Sequence, residues 1–130
     1  MLAERSGHII NVSSVGVRIP PAAHWAAYTA SKSAFDIWLK CGAPELVNDG
    51  IDCTSIYFGL VHTRMSAPTE AYAKMPGLTA DQAACVVCRA LLKRPRTLGP
   101  WWLTPAHWLS APFEPVAAWL QSKILRRSRA

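Results

Sequence analysis

The chain has 130 residues, of which 51% are hydrophobic and 17% charged, a globular composition that excludes a disordered or collagen-like polypeptide. At this length one small domain is the ceiling, and a compact chain buries about two-thirds of its unfolded surface, enough for a core without covalent staples. The net charge of +6 lies wholly in the second half: residues 1–65 carry five basic and five acidic groups, residues 66–130 nine and three.

In chain order, Gly7-His8-Ile9-Ile10-Asn11-Val12-Ser13-Ser14 is a β-branched apolar run bounded by Gly and Ser, which predicts a buried strand near 8–13. Pro20 and Pro21 interrupt the next stretch. From about His24 to Lys40 the alanine-rich sequence predicts a helix, and Gly42 and Pro44 are expected to kink or end it. Asn48-Asp49-Gly50 signals a turn, and Ile51 to Phe58 predicts a second strand. Two strands joined by a helix of this length are expected to run parallel in a right-handed α/β unit. The helix is apolar nearly all round, with Tyr28, Phe35 and Leu39 on one stripe and Ala34, Trp38 and Cys41 on another. Such a helix is expected to be covered on two sides, by the sheet and by a second copy of the chain.

Residues 79–94 predict a further helix, with Thr79 as N-cap and Ala83, Val86, Val87, Ala90 and Leu91 as its apolar face. The remaining segment, 96–130, is rich in Pro and Trp, and a short helix is expected from about Val116 to Arg127. Its basic residues Lys123, Arg126, Arg127 and Arg129, like Arg89, Lys93, Arg94 and Arg96 before them, read as helix-end cations. No helix-turn-helix or basic-aromatic pattern accompanies them, which argues against nucleic acid as a partner.

The four cysteines, Cys41, Cys53, Cys85 and Cys88, follow no secretory leader, so reduced thiols and a cytoplasmic setting are expected. Cys85 and Cys88 have no second pair and no suitably spaced histidine, and are expected to pack as small apolar residues; no metal site is anticipated. No run approaches the roughly 18 apolar residues of a membrane span.

Ligands of parallel sheets bind beyond the carboxyl ends of the strands, which here are Ser13-Ser14 and Gly59 to Thr63. Tyr28 and Lys32 stand at i and i+4 on one helix face. An ammonium beside a phenol favours the phenolate, so that the phenol can exchange a proton with a substrate oxygen. A serine hydroxyl near it can polarise the same oxygen. This set suits carbonyl reduction or alcohol oxidation.

The serine pair ending a strand, Tyr28-Thr29-Ala30-Ser31-Lys32 opening the next helix, and Gly59-Leu60-Val61-His62-Thr63 after the second strand together resemble the catalytic half of the short-chain dehydrogenase/reductase family. The resemblance implies an α/β fold, the C-terminal portion of a Rossmann-type doubly wound parallel sheet, over residues 1–95, with 96–130 as a helical tail or lid. It implies that Ser14 is the catalytic serine, Tyr28 the general acid/base, and Lys32 the lysine that also contacts the nicotinamide ribose. Gly59, Val61 and Thr63 would lie against the nicotinamide, with NADP, or else NAD, as cofactor and a small carbonyl or alcohol as substrate. Phe58 stands where the family usually has proline.

The family's Gly-rich phosphate loop belongs upstream of Met1. On that ground the isolated chain is expected to be inactive, the rival reading being a non-catalytic remnant. Phe35-Asp36, Cys41-Gly42-Ala43-Pro44-Glu45, Thr63-Arg64-Met65-Ser66-Ala67-Pro68-Thr69 and Met75-Pro76-Gly77-Leu78-Thr79 resemble fatty-acyl-CoA reductases of actinobacteria and their relatives, which implies a long-chain acyl thioester or aldehyde. The Trp-rich tail fits either a lid over the pocket or a peripheral membrane contact.

Overall fold

A computed structural model describes residues 1–19 and 24–127. The Pro20-Pro21 interruption and Arg129 lie outside the described residues. Strand β1 (Gly7–Ser14) and strand β2 (Ile51–Phe58) pair in parallel, in register from Gly7 opposite Ile51 to Ser14 opposite Phe58. Between them runs helix α1 (Ala26–Asn48). Two short strands, β3 (Val61–His62) and β4 (Leu78–Thr79), form a separate parallel pair, with the short helix α2 (Glu70–Ala73) between them. Helix α3 (Ala80–Lys93) then leads to β5 (Thr97–Leu98), which joins the far side of β2 in parallel, so that the main sheet has the order β1-β2-β5. Helices α4 (Leu103–Ser110) and α5 (Glu114–Arg127) close the chain. The parallel α/β architecture expected from the sequence is the one observed.

Side chains alternate along β2, and each face meets a different helix. Tyr57 and Ser55 turn toward α1, where Tyr57 reaches Asp36. The opposite face, which carries Thr54 and Ile56, meets α3. Burial on both faces explains why β2 is the centre of the core: Ile51, Thr54, Ser55, Ile56 and Tyr57 are all buried, with Leu39, Ala90 and Leu103 around them. Helix α3 starts in a full capping box, in which Thr79 accepts from the Gln82 N–H at 3.2 Å and Gln82 Oε1 accepts from the Thr79 N–H at 2.9 Å.

Four local expectations are corrected. Helix α1 begins at Ala26 rather than His24 and runs through Gly42 and Pro44 to Asn48. Proline removes one backbone donor, but Pro44 faces solvent while Ala43 and Leu46 on either side are half-buried, so packing carries the helix past it. It stops at Gly50, whose φ of +78° and whose approach to the Arg5 carbonyl leave no room for a side chain.

The inward line of α1 is not the apolar stripe. Thr29, Lys32, Ser33, Asp36 and Leu39 turn toward the sheet, while Tyr28, Phe35 and Trp38 are exposed. Polar groups occupy the buried face because strand side chains supply their hydrogen bonds. Cys85 and Cys88 are exposed, since the inward face of α3 is taken by Ala83, Val86, Val87 and Ala90. Finally, the tail, expected to be helical with a named helix only from about Val116, holds a second helix, α4, which follows a Pro100–Leu103 turn.

His8 sits between β1 and the end of α3. Thr54 donates its hydroxyl proton to the Pro95 carbonyl at 2.5 Å and therefore accepts from His8 Nε2 at 2.8 Å. Nδ1 is buried without a partner. Burial first, and then the charge of Arg94, hold the His8 pKa below its ordinary value against the opposing pull of Asp52. The unfolded chain therefore binds this proton more readily than the folded one. Stability that His8 supports above about pH 6.5 is expected to decline as pH falls through that value. Urea midpoints at successive pH values for the wild type and for His8→Gln check this; parallel curves would refute it.

Candidate active site

The carboxyl ends of β1 and β2 lie side by side, and the segments leaving them enclose a cleft of about 770 Å³. Ser14, Tyr28, Lys32, Gly59, Val61 and Thr63 all line it, so every residue singled out in the sequence reaches one site. Each is placed by a local rule. Ser14 ends β1 and caps a single 3-10 turn over Val15–Val17, where its Oγ accepts from the Gly16 N–H at 3.2 Å. With the Oγ engaged as an acceptor, its own proton remains to be donated into the cleft.

Tyr28 stands in the first turn of α1 and is 40% exposed. Among the described residues its hydroxyl has no protein partner, and its ring is held edge-on by Trp25 at 5.3 Å between centroids. One turn later Lys32 Nζ donates to the Val12 carbonyl at 3.0 Å. That bond ties α1 to the end of β1 and holds the ammonium at the mouth of the cleft.

The loop after β2 is pinned by Ser66. Its Oγ accepts from the Thr63 N–H at 2.8 Å and points its proton at the Thr63 and Val61 carbonyls, 3.0 and 3.1 Å away. A hydrogen bond from the Leu78 N–H to the Leu60 carbonyl at 2.9 Å joins the same loop to β4. Gly59 itself faces open space: an added Cβ there would touch nothing.

The outer wall comes from residues that the sequence did not single out as a group. Ile19, Trp25, Met65, Tyr72 and Met75 give it an apolar lining, with the Trp25 and Tyr72 rings 6.3 Å apart. Nothing in spacing alone foretells this, because the cover folds back from residues 63–75 over the start of α1, far earlier in the chain. No residue beyond Met75 lines the cleft among the described residues.

Behind the cleft lies a buried polar knot. Asp36, fully buried, accepts from Asn11 Nδ2 at 3.3 Å, from the Tyr57 hydroxyl at 3.0 and 3.1 Å, and from Lys40 Nζ at 2.6 Å. Burial alone would lower the Lys40 pKa, but the bond to Asp36 and the nearness of Tyr57 outweigh it and raise the pKa. The knot joins β1, α1 and β2, the three elements that carry Ser14, Tyr28 with Lys32, and the Gly59–Thr63 loop. Its one signal in the sequence is Asp36 itself, a carboxylate set between Phe35 and Ile37.

Small residues and donors line the inner wall, and the cleft has room for the nicotinamide and ribose of a dinucleotide. Lys32 Nζ and the hydroxyls of Ser14 and Tyr28 are donors suited to them. No group of three or more potential metal ligands occurs among the described residues, and none of their helices is long and apolar enough to cross a membrane.

A model of the short chain dehydrogenase family matches residues 1–74. The chain is similar to a fatty acyl-CoA reductase of Acinetobacter baylyi, 41% identical over 98 residues, which are 75% of this chain and 33% of that protein. It is also similar to an uncharacterized oxidoreductase of Mycobacterium tuberculosis, 47% identical over 90 residues, 69% of this chain and 26% of that one. Among solved structures, a short chain dehydrogenase from Burkholderia cenocepacia in complex with NADP superposes with a TM-score of 0.72 at 25% identity, covering 92% of this chain and 49% of that one. The chain thus spans a quarter to a third of the curated relatives it matches and about half of that solved chain. By the family match over more than half its length, and by the fold it shares with a solved member, the chain belongs to the short-chain dehydrogenases.

Proposed function

We propose that this chain carries the catalytic portion of an NAD(P)-dependent oxidoreductase acting on a carbonyl or alcohol. The observation that carries the reading is the convergence of Ser14, Tyr28 and Lys32 with the Gly59–Thr63 loop on one cleft at the carboxyl ends of two parallel strands. When bound, the nicotinamide nucleotide supplies or takes the hydride. The chain does the rest. Ser14 donates its free proton to the substrate oxygen and fixes its position. Tyr28 passes a proton to that oxygen in reduction and removes it in oxidation. Lys32, anchored on the Val12 carbonyl, places a positive charge one helical turn from the phenol and contacts the ribose. Gly59, Val61 and Thr63 support the nicotinamide ring.

The apolar outer wall and the similarity to proteins named fatty acyl-CoA reductase favour a long-chain acyl thioester or aldehyde as substrate. The solved neighbour with NADP favours NADPH as donor. The same reading includes a homodimer contact through α1, where Phe35 and Trp38 lie 5.5 Å apart on the exposed side.

The test is a hybrid in which residues 7–95 replace the aligned stretch of the Acinetobacter baylyi relative. It is expected to quench its tryptophan emission saturably with NADPH, more tightly than with NADH, and to oxidise NADPH when given a long-chain acyl-CoA or aldehyde. A folded hybrid that binds nucleotide and turns over neither substrate would refute the reading.

A further inference from the structure

We infer that the tail formed by α4 and α5 docks on the surface of an anionic phospholipid bilayer. The tail is fastened to the body at its start, where Leu103 is buried and His107 Nδ1 donates to the Arg18 carbonyl at 2.6 Å. Just before that anchor, at Trp101, and along the helices it turns large apolar side chains outward. Trp101 is 87% exposed, Trp108 76% and Trp119 54%, with Phe113, Val116 and Leu120 exposed beside them. Scattered single apolar residues on a surface are ordinary, but a run of three tryptophans and a phenylalanine within twenty residues is not.

On α5, Val116, Trp119, Leu120 and Lys123 follow the i, i+3, i+4, i+7 spacing of one helix face. Lys123 Nζ lies 4.0 Å from the centroid of the Trp119 ring, its stem along the apolar surface and its charge at the edge. Arg126 follows one turn later, exposed. Residues 99–127 contain a single acidic residue, Glu114, against Lys123, Arg126 and Arg127.

This pairing selects the partner. Indole rings prefer the boundary between headgroups and acyl chains, where an apolar body and a polar N–H are both satisfied. Cations beside them are attracted by the negative potential of anionic lipid. A nucleic acid would use the charge but leave the apolar face in water. No described helix is long and apolar enough to cross the bilayer, so the tail lies on the surface. The inference does not depend on the oxidoreductase reading, although a membrane-soluble acyl substrate suits both.

Vesicle flotation of the 130-residue chain tests it, because aggregates sink while bound protein rises with the lipid. The chain is expected to float with vesicles containing about one-third phosphatidylglycerol and far less with pure phosphatidylcholine, with salt weakening the binding. Tryptophan emission should shift to the blue on binding. Lys123→Glu with Arg126→Glu should reduce partitioning about tenfold or more, and Trp108→Ser with Trp119→Ser should reduce both partitioning and the emission shift, which Trp101 would still report. All four positions are exposed, so circular dichroism should be unchanged. A folded chain that does not float with either vesicle overturns the inference, as does equal flotation of the wild type and both variants. So does a stable dimer in solution that buries these tryptophans and ignores lipid.

Discussion

Asp36→Ala is expected to lower the stability of the chain by about 3–5 kcal/mol, the usual result of removing one member of a buried charged network. The side chain is fully buried and accepts from Asn11, Tyr57 and Lys40. Its loss leaves the Tyr57 hydroxyl proton and one Asn11 amide proton without an acceptor in the core, Asn11 keeping its bond to Ser55 at 3.3 Å; an unpaired buried group costs about 1–3 kcal/mol. Lys40, roughly half exposed, can turn to water and adds little. Because a domain of this size is stable by only about 5–15 kcal/mol in total, much of the margin disappears. Asp36→Asn keeps the volume and one acceptor and should cost less. Urea denaturation of the three proteins checks the order. An Asp36→Ala midpoint equal to that of the wild type would show that the knot contributes nothing. The consequence reaches the cleft, since the same carboxylate holds β1, α1 and β2 in mutual register.

Tyr28→Phe is the complementary case, with a large effect on turnover and almost none on folding. Its hydroxyl has no partner among the described residues and the ring is partly exposed, so the fold does not need the oxygen; the ring contact with Trp25 survives in phenylalanine. If the phenol moves the proton, the hybrid enzyme carrying Tyr28→Phe should lose about 10²–10⁴-fold in kcat, the usual worth of a positioned acid/base. Its denaturation midpoint should stay where it was. Activity within a few-fold of the parent hybrid would remove Tyr28 from the proposed mechanism. The two substitutions separate cleanly: Asp36 acts on the frame, Tyr28 on the chemistry.

Much of this arrangement was legible in one dimension. The β-branched runs at 8–13 and 51–58 announced the two main strands; β2 is buried as such a run implies, whereas β1, expected to be buried, lies at the edge of the sheet, mostly half-buried and with Val12 exposed. The helical spacing of Tyr28 and Lys32 placed both beside the strand ends, because a short connection and the handedness of the crossover leave the helix start nowhere else to go. Thr79 marked the start of α3 as its N-cap by a local hydrogen-bond rule that needs no tertiary partner.

The features that escaped depend on groups far apart in sequence. The length of α1 was misjudged because Gly42 and Pro44 act locally, whereas the packing of Ala43 and Leu46 on the body is a long-range gain. The short strands β3, β4 and β5 have only two residues each, too few for any periodicity, and exist because a neighbour offers hydrogen bonds. The exposure of Cys85 and Cys88 depended on which face of α3 the sheet selected.

The sequence by itself determined the two main strands, the helices α1 and α3, their parallel unit and the polar residues of the inner cleft wall, because those are set by nearest-neighbour sterics, hydrophobic period and the handedness of the chain. Only the tertiary structure decided that α1 buries a carboxylate rather than its aromatic stripe, that residues 63–75 join Ile19 and Trp25 in the apolar wall, and that the tail's tryptophans face outward. Each of these depends on which distant hydrogen-bond partner or apolar surface a side chain finds. The partners of Asp36, at positions 11, 40 and 57, become neighbours only when the two strands close on the helix.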